Sequence, residues 1–140
     1  MKNYFLLLLS FVLFASCNND NDPSENLEND CTTTACTYEF RSILVNVKDS
    51  DGNIVKLDKS EVIDSDSKET ILDETYNDQT STEFYLLYSD SFQSEIINEE
   101  REIIFKGYID NNEVISSNYV VSSDCCHIFL AEGNLDLIIN

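Results

Sequence analysis

The feature that most constrains the fold is alternation. Ile43, Val45 and Val47 alternate with Leu44, Asn46 and Lys48, the two-residue period of a strand with one face buried. Upstream, Cys36, Tyr38 and Phe40 alternate in the opposite phase, so a bulge or bend is expected near Ser42. Asp49-Ser50-Asp51-Gly52-Asn53 reads as a turn, because Gly tolerates positive φ and Asp and Asn side chains bond their own backbone. Short strands are expected at Ile54 to Leu57 and around Val62-Ile63, with another turn from Ser65 to Glu69. Phe84-Tyr85-Leu86-Leu87-Tyr88 is rich in β-formers and predicts a buried strand. Phe92, Ile96 and Ile97 fit a short helix as well as a loop. Ile103 to Ile109 and Val114 to Val121 face each other across Asp110-Asn111-Asn112-Glu113, which predicts a hairpin. Cys126, Ile128 and Leu130 share one face of the next strand, and Leu135, Leu137 and Ile139 form the closing one after a Gly133-Asn134 turn. Seven or eight short strands with turns every 8–15 residues and no helix of length predict an all-β chain. The expected form is a single antiparallel β-sandwich, immunoglobulin-like or transthyretin-like.

The first residues belong to a different class. One positive charge at Lys2 precedes the apolar runs Phe5 to Leu9 and Phe11 to Phe14. That is the n-region and h-region of a signal peptide, too short for a membrane span of roughly 20 apolar residues. The run ends Leu13-Phe14-Ala15-Ser16-Cys17, which resembles the bacterial lipobox. The resemblance implies cleavage after Ser16, a diacylglycerol on the thiol of Cys17, and an acylated amine. Two or three acyl chains hold a protein stably where one does not. The expected divisions are a signal peptide over 1–16, a lipidated cysteine and acidic tether over 17–30, and the sandwich over 31–140.

Residues 18–30 carry five acids, no base, one aliphatic side chain and the only proline. Such a segment buries too little apolar surface to offset its ordering entropy. Fully extended, it would span on the order of 40 Å. An acidic stretch just behind the lipid cysteine also resembles a signal some Gram-negative groups use to send lipoproteins to the cell surface. The expected location is the bacterial outer membrane, on its periplasmic face or outside.

The whole chain has a formal charge of −19, and removal of the signal peptide with its single Lys leaves −20. Such acidity argues against nucleic acid and against anionic headgroups as partners of the protein surface.

Of five cysteines, Cys17 is assigned to lipid, leaving Cys31, Cys36, Cys125 and Cys126. An even number in an oxidising compartment predicts disulfides. Neighbours on a strand point to opposite faces, so Cys125 and Cys126 can reach different partners. Two bridges from the start of the domain to its end are expected, each closing a loop of roughly 90 residues. The pairing stays open, and the alternative is Cys31–Cys36 with a vicinal, strained Cys125–Cys126 bridge. Cys125-Cys126-His127 also looks like a ligand cluster, but zinc sites space their cysteines by two to four residues.

The pieces Cys36-Thr37-Tyr38-Glu39-Phe40-Arg41, Val45 to Leu57, and Tyr119 to His127 are together similar to small uncharacterised bacterial lipoproteins. Asp124-Cys125-Cys126-His127 is the most specific of them. The resemblance covers about residues 31–140. It implies a carboxypeptidase-regulatory-like or transthyretin-like sandwich and carries no established activity.

No catalytic, metal or cofactor site is expected. Only Gly52, Gly107 and Gly133 are glycines, so no glycine-rich phosphate loop exists, and the single histidine lies beside a cystine candidate. The Asp49 turn faintly resembles a calcium loop but lacks the later glutamate. The expected function is a membrane-anchored, non-catalytic binding or accessory module with a protein partner. The alternative is an acidic inhibitor or immunity-type protein that pairs with a cationic enzyme.

Overall fold

The computed structural model describes residues 31–77 and 83–139, so the expected signal peptide, Cys17 and the expected tether over 17–30 lie outside the described residues. Eight strands form two sheets: β1 (Ser42–Asp49), β2 (Lys59–Asp64), β3 (Thr70–Thr75), β4 (Phe84–Ser89), β5 (Glu100–Ile109), β6 (Asn112–Ser123), β7 (Ile128–Glu132) and β8 (Asp136–Ile139). The three-stranded sheet runs β4-β1-β8 and the five-stranded sheet β3-β2-β5-β6-β7. The chain is an all-β sandwich of eight strands, and 3-10 turns at Cys31–Thr33 and Asp90–Glu95 are its only helical pieces among the described residues. No helix of the described residues is long and apolar enough to cross a membrane.

All ladders are antiparallel except one. β8 pairs parallel to β1, with Val47 opposite Leu137 and Lys48 opposite Ile138. The expected antiparallel order therefore holds for the sandwich as a whole and fails where the last strand docks beside the first.

The alternation in β1 does what its period implies: Ile43, Val45 and Val47 are buried, and Leu44 faces out. Opposite them lie Val62 of β2, Ile103 and Phe105 of β5, and Tyr119 and Val121 of β6. Full burial of such side chains contributes roughly 1.5–3 kcal/mol each. Three buried tyrosines bring polar tips into this core, and each tip is bonded. Tyr85 accepts from Leu57 N at 2.8 Å and donates to Val55 O at 3.0 Å. Tyr88 accepts from Arg101 Nη1 at 3.1 Å, and Tyr119 donates to Asn134 O at 2.8 Å. A Cβ on Gly133 would lie 2.3 Å from the Tyr119 ring, so the turn into β8 must be made of glycine.

Several local expectations shift. The hairpin between β5 and β6 turns on Asp110 and Asn111 alone, both at positive φ, which is tighter than the four-residue connection expected. Residues 36–40 are not a strand. Ile54 makes only an isolated bridge to Lys48, because Tyr85 holds the 55–57 segment against the core instead. β3 was not expected, since it is an edge strand with only half-buried apolar residues. Cys126 lies in a turn before β7 and not on the strand.

Candidate functional site

The residue types capable of chemistry gather at one end of the sandwich, where β4, β6 and β7 meet the segment before β1. The turn Asp124 to His127 is built by its own aspartate. Asp124 Oδ1 accepts from Cys126 N at 2.7 Å and His127 N at 2.8 Å, and Asp124 N donates to His127 O. The two backbone amides hold the Asp124 carboxyl below its ordinary range against the opposing effect of desolvation. This turn, and not strand alternation, aims the adjacent cysteines at separate partners.

Both bridges cross from the start of the domain to its end. Cys31 pairs with Cys125 and Cys36 with Cys126, with Cα separations of 5.3 and 5.2 Å. All four cysteines of the described residues are therefore bridged, and none offers a thiolate to a metal. Among the described residues no cluster of three or more His, Cys, Asp or Glu is arranged to hold an ion.

Beside the second bridge lies a constellation that sequence reading missed. His127 is buried, and its Nδ1 is 2.9 Å from Asp90 Oδ2 while its Nε2 is 3.0 Å from Thr37 Oγ1. A carboxylate only accepts, so Nδ1 carries a proton toward Asp90. In the neutral ring Nε2 then accepts from the Thr37 hydroxyl. Asp90 also accepts from Arg41 N at 2.8 Å and Ile128 N at 2.9 Å. Desolvation works against the Asp90 charge, but the bonds from Ile128, Arg41 and His127 outweigh it and hold its carboxyl below the usual range.

Hydroxyl, imidazole and carboxylate in this order are the parts of a nucleophile relay. Here they also do mechanical work. Asp90 at the end of β4 ties Arg41 before β1 to Ile128 at the start of β7, and His127 ties in Thr37. With both disulfides, this fastens residues 31–41 as an arm whose outer side chains stay in water: Tyr38 is fully exposed and Phe40 is 64 % exposed. One signal was available in sequence. If Cys36 pairs with Cys126, Thr37 and His127 are each one residue from the same bridge. Asp90 carried no such signal.

The two outer faces differ. Strands β4, β1 and β8 carry two acids and one base, and the five strands of the other sheet carry eight acids and three bases. Near β5 an open groove is lined by Asp64, Glu95, Glu99, Glu102 and Glu132 around Arg101. Arg101 pairs there with Glu95 at 2.9 Å and Asp64 at 3.5 Å. The Asp49 turn is a hydrogen-bonded turn: Asp49 Oδ1 accepts from Asp51 N and Asn53 N, and Gly52 sits at positive φ.

The chain matches no protein-family model, no curated protein and no solved structure.

Proposed function

We propose that the protein is an exported, lipid-anchored module that binds a partner and does not catalyse, akin to the small bacterial lipoproteins its sequence resembles. The supporting observation is how the reactive residue types are used. Cys31, Cys36, Cys125 and Cys126 are bridged, and Thr37, His127 and Asp90 are bonded to one another and to the arm. Each is engaged in holding a rigid surface. A rigid frame lowers the ordering cost of binding. Lipidation at Cys17 and residence at the outer membrane belong to the same reading, as does the oxidising compartment that the two bridges suit.

A second reading is favoured by the acidic groove beside Arg101: an inhibitor or immunity-type protein that meets a cationic enzyme through the five-stranded sheet. Its association rate would fall steeply with salt.

The test uses the mature lipidated chain in detergent, with Cys17→Ala and Thr37→Val beside it. We expect Cys17→Ala to remain unprocessed or soluble, and Thr37→Val to retain the captured partner. Ester or amide hydrolysis that Thr37→Val abolishes while the fold survives would overturn the non-catalytic reading. A Cys17→Ala protein that is still processed and detergent-partitioned would overturn the anchor.

A further inference from the structure

The outer face of the three-stranded sheet is a grid. Leu44 stands opposite Leu86, Asn46 is flanked by Phe84 and Asp136, and Lys48 by Ile54 and Ile138. Leu44, Phe84, Ile54 and Ile138 are 42 %, 49 %, 42 % and 60 % exposed. The charges on these rows answer each other: Lys48 Nζ lies 3.3 Å from Asp136 Oδ1. Phe40, in the segment before β1, is also exposed. Exposed apolar side chains grouped on one sheet face around a few polar ones mark a surface that something covers.

The occupant is constrained by three things. The rest of the surface is strongly acidic, so most cell-surface and periplasmic macromolecules of like charge are repelled from it, and this nearly neutral face is where close approach costs least. The described structure begins at Cys31, only fourteen residues beyond Cys17. A contour length on the order of 40 Å then keeps the domain within about that distance of whatever holds Cys17. Such a tether makes contact with that surface intramolecular, so a shallow apolar patch engages it at high effective concentration. Aromatic and aliphatic side chains around a few polar groups suit the boundary between headgroups and acyl chains.

We propose that the outer face of the three-stranded sheet rests on the phospholipid surface to which Cys17 is anchored, and that the acidic five-stranded sheet faces away from it. This rests on the lipid-anchor reading. It makes the lipid a selector of orientation: the acidic sheet is turned outward, toward a cationic partner.

The chain has no tryptophan, so one introduced tryptophan is a clean reporter. Phe84→Trp and Ile138→Trp report the proposed face, and Asn118→Trp, exposed on β6, reports the opposite one. Each mature lipidated variant is placed in phosphatidylcholine vesicles with and without brominated acyl chains. Co-sedimentation with vesicles reports the anchor, and quenching reports the face. We expect all three to sediment, Phe84→Trp and Ile138→Trp to lose most of their emission to brominated lipid, and Asn118→Trp to lose none. Acrylamide quenching without vesicles checks that each tryptophan is exposed, and a cooperative thermal melt checks that each variant is folded. Proteins that sediment with all three tryptophans unquenched, or all equally quenched, overturn the orientation while leaving the anchor intact. Failure to sediment overturns the anchor instead. Protection of Phe84→Trp from acrylamide that grows with protein concentration, without lipid, assigns the face to a second copy and overturns the proposal.

Discussion

The two ends of the sandwich are closed by the same small device under different loads. At the Asp49 turn, a carboxylate accepts from the backbone of residues two and four places on. At the Asp124 turn, a carboxylate accepts from residues two and three places on. The first turn joins neighbours in the chain. The second must hold an arm some 90 residues away, and it carries two disulfides and the Thr37–His127–Asp90 relay. The difference follows from loop closure. A hydrogen bond contributes about 1 kcal/mol net, which suffices for a local turn. Closing a loop of 90 residues costs about 4 kcal/mol, which a covalent bridge meets and a few hydrogen bonds do not.

The largest expected effect is at the bridged end. Reduction of both bridges should cost at least about 4 kcal/mol and lower the melting midpoint by about 15 °C or more, whereas Cys36→Ser, which leaves Cys31–Cys125 joining the same two segments, opens only a small loop and should cost about 2 kcal/mol. The freed thiol in Cys36→Ser should be Cys126 and not Cys125, readable by alkylation and peptide mapping. A midpoint indifferent to reductant would erase the contrast between the ends.

Next is Asp90→Asn, expected to cost about 2 kcal/mol at neutral pH because a charged acceptor of three bonds becomes neutral. The sign with pH is fixed by the direction of its shift. A carboxyl held below its ordinary value in the folded state stabilises fully above the unfolded pKa of about 3.9. That contribution is lost as pH falls through the lower folded value. Urea midpoints of wild type and variant should therefore differ at pH 7 and converge in strong acid. A gap that persists undiminished would mean that the Asp90 charge is not what the relay uses.

Thr37→Val should cost about 1 kcal/mol, the net worth of one hydrogen bond. Its signature is spatial: faster amide exchange in residues 34–41 with the sheets unchanged. Equal acceleration across β1 and β4 would show that the arm and the sheets open as one unit. The smallest effect belongs to Asp49→Ala, whose exposed turn bears no remote segment. Its midpoint should move less than that of Thr37→Val, and a larger shift would reverse the ranking of the two ends.

What could be read from sequence divides along the same line. Signals carried by near neighbours were legible: the β1 alternation, the β5–β6 hairpin, the Asp49 turn and the buried run of β4. The even cysteine count pointed to two bridges, while the pairing of Cys31 with Cys125 and Cys36 with Cys126 needed the Asp124 turn. The relay was illegible because Thr37, Asp90 and His127 lie on three segments whose meeting depends on sheet register. β3 was missed because an edge strand buries too little to leave a strong pattern. The parallel docking of β8 was missed because four residues carry no mark of direction.

That last strand also sets an order of events. β1 is the central strand of its sheet, and one of its two neighbours is made of the final residues described. A chain delivered N-terminus first holds β1 with an open flank until residues 136–139 emerge. The five-stranded sheet has no such dependence, since β2, β3, β5, β6 and β7 all precede β8; the late step is the closing of β1, where the first and last strands meet. Loss of a handful of C-terminal residues would leave β1 an unpaired edge, open to any strand that can imitate β8.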